Sequence, residues 1–338
     1  MSVLDLAPVP SGSGPAEALR NSIDLARHVE AWGYHRHWVA EHHNMPGIAS
    51  SAPAVLIAHL AAATARIRVG SGGVMLPNHP SLVVAEQFGM LEALHPGRID
   101  LGIGRAPGTD GATAAALRRS ANPLSADEFP EQLSDLLGFF DGDFPEDHPY
   151  RSIRAVPGLG NAPALWLLGS SGYSAQVAGI LGLPFAFAHH FSPANTVPAL
   201  ELYRARFQPS AVLSEPYAMV AVAVVGADTG ARARWLHGST RLSILRLRSG
   251  SPGALPSPEE AEAYEYTPAE EAMVRGFVAD HVVGDPDAVR QGLDDLLTRT
   301  GADELMVTTN VYDHRERLRS YELVAELAGL EVAADPAV

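Results

Sequence analysis

Short apolar runs alternate eight times with stretches of helical period along this chain, an order that suits a parallel sheet with crossover helices and few other architectures. The runs at residues 3–7, 35–40, 67–76, 98–104, 164–168, 185–188, 218–225 and 304–308 read as strands. Helices are predicted over 15–32, 51–65, 80–94, 128–141, 173–181, 195–207, 229–247, 285–300 and 313–327. Asp285 and Pro286 give one of them its N-cap and first-turn signals. Eight strand–helix units predict an α/β fold, a (β/α)8 TIM barrel, read as a single domain over 1–338. Two stretches break the rhythm. Residues 109–157, after strand four, form a long Pro- and Gly-rich excursion with one helix, at 128–141. Residues 249–268, after strand seven and its helix, have the Pro, Gly, Ser and Glu content of a mobile lid loop. The helix at 51–65 is apolar and alanine-rich nearly all round, which makes it either a candidate subunit interface or a helix wedged inside one subunit.

Composition narrows the partners. A net charge of −15 argues against nucleic acid or an anionic membrane as partner, since both need clustered cations. Cysteine is absent, so disulfides and thiolate metal sites are excluded. All 24 basic residues are arginine, which leaves no lysine for a Schiff base or a phosphate-binding P-loop. No run reaches the roughly 18 apolar residues of a membrane span, and the first residues lack the basic region of a secretory signal. The expectation is a cytoplasmic protein.

In a barrel the carboxyl ends of the strands face the ligand, and chemistry-bearing residues stand at several of those ends. Trp38-Val-Ala-Glu-His-His-Asn44 places Glu41, His42 and His43 just past strand two. Strand three carries Gly70, Gly72 and Gly73, which imply a bulge, an unusual peptide geometry or the close approach of a ligand. Gly-Ile-Gly-Arg-Ala-Pro-Gly ends strand four. Its last glycine, Gly108, is one residue late for a dinucleotide fingerprint, yet Arg105 is placed to clamp a phosphate. Gly169-Ser-Ser-Gly-Tyr-Ser174, after strand five, combines three hydroxyls with a helix N-terminus, either an anion cradle or simple helix capping. The pairs His42-His43 and His189-His190 point alternately on extended chain, so each offers one ligand at most and no metal site is expected. A Gly-x-Ser-x-Gly nucleophile motif is also absent.

Taken together, WVAEHHN, GSGGVMLPNHP, GRIDLGIGRAPG, LGSSGYSAQVA with GLPFAFAHHF, and the late VVGDP and ADELMV resemble the bacterial luciferase-like flavin-dependent monooxygenases, in particular their single-chain oxidoreductase group. The resemblance implies an enzyme that uses reduced FMN and O2, through a flavin C4a-hydroperoxide, to insert one oxygen atom into a small organic substrate. It implies a separate flavin reductase and a homodimer, and allows a place in secondary-metabolite tailoring. Residue by residue, His42 matches the active-site histidine with Glu41 beside it to orient it, and Arg105 matches the phosphate-clamping arginine. Ser170, Ser171, Gly172, Tyr173 and Ser174 fall on the phosphate-binding turn, and Gly72-Gly73 on a non-prolyl cis peptide beneath the flavin ring. Three other functions compete: hydride transfer with the deazaflavin F420, in a sister branch; non-catalytic flavin binding; and a metal-dependent barrel hydrolase.

Overall fold

Alternating side chains give each strand one face toward the helices and one toward the inside of a barrel, and both faces are filled. The computed structural model describes residues 1–106, 110–118 and 128–331. Its strands are β1 (Ser2–Asp5), β2 (Arg36–Val39), β3 (Arg68–Met75), β4 (Ile99–Gly104), β5 (Ala164–Gly169), β6 (Phe185–Phe187), β7 (Ala218–Gly226), β8 (Val282–Gly284) and β9 (Glu304–Thr308), all parallel. β1 to β7 and β9 close into an eight-stranded barrel, with β6 paired to β7 and β9 lying between β7 and β1. β8 extends only the end of β7, through Val224–Val282 to Gly226–Gly284. The eight predicted strands are those of the barrel.

The predicted helices are present as α1 (Pro15–Ala31), α2 (Pro53–Ala63), α3 (Ser81–Leu94), α5 (Phe129–Asp141), α6 (Gly172–Leu181), α7 (Thr196–Arg206), α8 (Gly230–Arg248), α11 (Pro286–Thr300) and α12 (His314–Leu327). Three more were not predicted: α4 (Gly111–Arg118), α9 (Pro258–Glu262) and α10 (Pro268–Val278). The excursion after β4 therefore holds two helices, because α4 is alanine-rich and shows no apolar period to betray it. Thr267 and Glu270 form a capping box at α10, a signal the sequence did carry. Residues 249–267 are not an open loop. Leu255 bonds Val9 O at 2.8 Å through its N–H and accepts from Ser11 N–H at 2.8 Å, docking the segment on the turn after β1.

Outward residues such as Val39, Val69, Leu101, Leu167, Val222 and Val307 pack with Leu25, Leu60, Phe88, Leu293 and Val324 of the helices in one core. Each such side chain contributes roughly 1.5–3 kcal/mol by burial. Inward residues form a separate cluster of Leu4, Trp38, Ala40, Trp166, Ala186, Met219, Ala221 and Met306. Trp38 and Trp166 meet edge to face at 5.2 Å, and the Arg36 guanidinium lies 4.7 Å over Trp166. Arg36 bonds Asp100 at 2.9 Å and Glu304 at 3.1 Å, while Trp38 Nε1–H also donates to Asp100 at 2.9 Å. Removing one partner from a buried pair of this kind costs about 3–5 kcal/mol. Aromatic rings and paired charges thus plug the amino ends of the strands, and only the carboxyl ends are left for a ligand.

Two local features shape that end. The ladder between β3 and β4 shifts register between Gly72 and Val74, and the Gly72–Gly73 peptide is cis. A Cβ at Gly73 would stand 2.7 Å from the Gly102 carbonyl oxygen, so the strand tolerates nothing larger than glycine there.

Candidate active site

A cavity of about 530 Å³ opens at the carboxyl ends of the strands, and every strand of the barrel helps to wall it. Leu6 and Pro8 follow β1, Glu41 and His42 follow β2, and Gly72 and Gly73 belong to β3. Arg105 follows β4, Ser170 and Ser171 follow β5, His190 follows β6, Val225 is the penultimate residue of β7 and Asn310 follows β9. Ser174 of α6 also lines it, and Pro252, Gly253 and Leu255 of the docked segment cover part of it. Of the residues singled out from sequence, His42, Glu41, Gly72, Gly73, Arg105, Ser170, Ser171 and Ser174 share this one cavity. Gly172 starts α6, and Tyr173 acts on the site through Arg105. Gly108 lies outside the described residues.

Arg105 stacks its guanidinium 4.2 Å over the Tyr173 ring and has no carboxylate partner among the described residues. Stacking orients the planar cation and leaves its N–H edge to bind an anion. Ser171 is the N-cap of α6, yet its hydroxyl makes no capping hydrogen bond. The capping explanation of these serines therefore lacks its bond at Ser171, and the first-turn N–H groups of α6 are free of a side-chain cap. Unpaired cation, open helix N-terminus and hydroxyls together fit a phosphate monoester.

His42 is part-buried on the cavity wall, with its backbone N–H bonded to Ser50 O at 3.0 Å. Its Nδ1 is buried without a hydrogen-bond partner. Burial lowers its pKa from the ordinary histidine value, against the pull of Glu41, so the ring is neutral at pH 7 and able to accept a proton. Leaving a buried polar atom unpaired costs about 1–3 kcal/mol.

Glu41 does not orient His42 through a hydrogen bond, contrary to the sequence reading. Its fully buried carboxylate accepts from His43 Nε2 and His79 Nε2, each at 2.8 Å, and from Met75 N–H at 3.0 Å. Burial pushes its pKa up, and these hydrogen bonds outweigh it, so Glu41 stays ionised below the usual range. It ties the loop after β2 to the end of β3, which places His42 indirectly. Among the described residues, Glu41, His43 and His79 are also the one group whose potential metal-ligand atoms lie within 4.8 Å of one another, and the 2.8 Å separations are those of hydrogen bonds.

Sequence reasoning missed three histidines. His79, in Pro-Asn-His-Pro just past β3, could have been flagged by its place beyond a strand end. His237 on α8 and His281 before β8 also line the cavity, and no local pattern marks them.

Burial has a cost in acid. It depresses His189 and His190 to about 4 and His237 to about 3. The unfolded chain binds protons at these histidines near 6.5 while the folded chain does not, so folding stability declines as pH falls from about 6.5 toward 4. Each contributes a slope of up to about 1.4 kcal/mol per pH unit in that window. A thermal midpoint that falls steadily between pH 7 and 5 is expected, and a flat profile there would contradict this electrostatic picture.

Over residues 1–304 the chain matches the family described as luciferase-like monooxygenase. It is 50% identical over 326 residues to the luciferase-like monooxygenase of Escherichia coli K12, covering 96% of each chain. The chain belongs to the luciferase-like monooxygenase family. Within that family it is 37% identical over 330 residues to N-acetyl-S-alkylcysteine monooxygenase of Bacillus subtilis, covering 96% of this chain and 97% of the relative. The structure of apo-MsnO8 superposes with a TM-score of 0.89 at 41% identity and 98% coverage of both chains. The oxygenating constituent of 3,6-diketocamphane monooxygenase from Pseudomonas putida, solved with FMN, shares the fold at 20% identity, with a TM-score of 0.72 and 96% coverage of both. The chain is thus a flavin-dependent monooxygenase of the luciferase-like family, and its small-molecule chemistry involves O2. Among the described residues, no helix is long and apolar enough to cross a membrane.

Proposed function

We propose that the protein uses reduced FMN, delivered by a separate flavin reductase, to insert one atom of O2 into an organic substrate. The observation that carries this reading is the convergence of Arg105, the Ser170–Ser174 turn and His42 on one cavity. Reduced FMN, when bound, supplies the electrons that activate O2. Arg105 and the hydroxyls and N–H groups at the start of α6 would hold its phosphate, and Gly72 and Gly73 would line the site of its ring. His42 accepts and returns a proton within the cavity as the oxygen is transferred. Glu41 holds that loop in register through His79 and Met75. Residues 249–267, docked over the opening, exclude water and act as the lid, which keeps reactive oxygen from being lost to solvent.

FMN is favoured over F420 by the chain's monooxygenase family, because a deazaflavin transfers hydride and does not activate O2. No second nucleotide motif is legible in the chain to hold a nicotinamide donor, which favours delivery by a partner reductase. Exposed Val55 of α2 and Val83, Met90 and Leu94 of α3 form an apolar surface suited to a homodimer. A single cytoplasmic domain and a place in secondary metabolism complete the reading. Thioethers are the first substrates to try, given the relative that acts on N-acetyl-S-alkylcysteines.

The deciding experiment supplies reduced FMN in air with a panel of thioethers, aldehydes and aromatic polyketides. Oxygen uptake coupled to a product carrying one added oxygen is expected. Hydride transfer with reduced F420 and no oxygen uptake would replace this reading with the deazaflavin one.

A further inference from the structure

Four imidazoles line the cavity, and the reading above uses only His42. His190, His237 and His281 stand on the wall built by the loop after β6, by α8 and by the residue preceding β8. His190 is near enough to His42 for the two to influence each other's charge. Their hydrogen bonds fix which nitrogen carries the proton. A carbonyl oxygen can only accept, so His281, whose Nε2 lies 3.3 Å from His190 O, bears its hydrogen on Nε2. The neutral ring then offers Nδ1 as a lone pair, and His237 Nε2–H, 3.1 Å away, donates to it. His237 is left with a bare Nδ1. His190 is fixed in the same way: Nδ1–H donates to Ala221 O at 3.3 Å, which leaves Nε2 bare.

Among the described residues none donates a hydrogen bond to either bare nitrogen, and both rings line the cavity. Burial keeps the rings neutral, with His190 depressed to about 4, His237 to about 3 and His281 also lowered. The neighbouring wall is largely apolar, with Phe191, Ile244 and Leu247, and carries the hydroxyl residues Thr240 and Ser243. Neutral lone pairs beside hydrocarbon suit an O–H or N–H on an otherwise apolar molecule, and they disfavour a carboxylate, which has no proton to give.

We propose that His237 Nδ1 and His190 Nε2 form a substrate subsite that accepts hydrogen bonds from a neutral donor, a hydroxyl or amide N–H, on the organic substrate. The proposal rests on the reading of this cavity as the flavin and substrate chamber. His281 is a positioning residue, because its lone pair holds His237 in the tautomer that leaves Nδ1 free.

The test titrates phenol, anisole and benzoate into the full-length protein with 15N-labelled histidine, reading Kd for each and the ring-nitrogen shifts. Phenol and anisole differ by one O–H, and one neutral hydrogen bond is worth a factor of about 3–10 in affinity. Phenol is expected to bind tighter than anisole by about that factor, to bind tighter than benzoate at pH 7, and to shift the unprotonated nitrogen of His237 or His190. H237F should lower the phenol-to-anisole ratio, H237N, which restores an acceptor, should recover part of it, and the double variant H190F/H237F should bring it close to one. Equal binding of phenol and anisole to the unmodified protein, tighter binding of benzoate, or a ratio unchanged in H190F/H237F overturns the proposal. Should the double variant not fold, the ratio and nitrogen shifts in the unmodified protein decide. FMN affinity, read in the same samples by quenching of flavin fluorescence, separates the two readings: a preference for phenol without FMN binding sinks the flavin assignment and supports the subsite.

Discussion

Replacing His42 with alanine is expected to lower the yield of oxygenated product by about 10²–10⁴-fold, the range for loss of a positioned acid–base group, with FMN affinity unchanged. The split between binding and turnover follows from where the ring stands. His42 lines the cavity with a buried Nδ1 that has no partner, and it is kept neutral by burial. It follows β2, whereas Arg105 and the α6 turn, which are assigned to the phosphate, follow β4 and β5. Single-turnover measurement with preformed reduced FMN checks the prediction without interference from a reductase. Unchanged product yield would remove His42 from the chemistry. A parallel loss of FMN binding would make it a structural residue instead.

Arg105→Ala is expected to weaken FMN by about 10- to 100-fold, as for a charge-assisted hydrogen bond of roughly 1.5–3 kcal/mol, and to leave riboflavin binding unaffected. Riboflavin is FMN without the phosphate, so the comparison isolates the contact. The guanidinium rests on Tyr173 and has no carboxylate partner among the described residues, so its removal leaves no anion behind to destabilise the fold. Arg105→Lys should recover little, since an ammonium neither stacks on the ring nor presents a bidentate edge. Equal weakening of FMN and riboflavin would show that the arginine supports the cavity wall and does not bind phosphate.

Much of the site could be located before any coordinates because of where the chain stops being strand. Trp38 and Ala40 face into the barrel, so the next residues, Glu41 and His42, had to emerge at its rim. Arg105 and Ser170 were visible for the same reason, one residue beyond the ends of β4 and β5. Glu41 shows the limit of this logic. Its neighbour in sequence is His42, but its hydrogen bonds go to His43, Met75 and His79, and adjacency said nothing about the direction of the carboxylate. Likewise α4 was overlooked because an alanine-rich helix carries no apolar stripe.

The residue order on its own determined the barrel, since the alternation of apolar runs and helical periods is a local property written every few residues. It also determined which side chains stand at the strand ends. Only the tertiary structure decided that His237 and His281, 44 residues apart, share a hydrogen bond inside the cavity, and that Arg36 joins Asp100 and Glu304 into a plug beneath it. Periodicity reports which face a residue lies on, whereas its hydrogen-bond partner depends on how distant elements are brought together, and nothing in the local pattern encodes that distance.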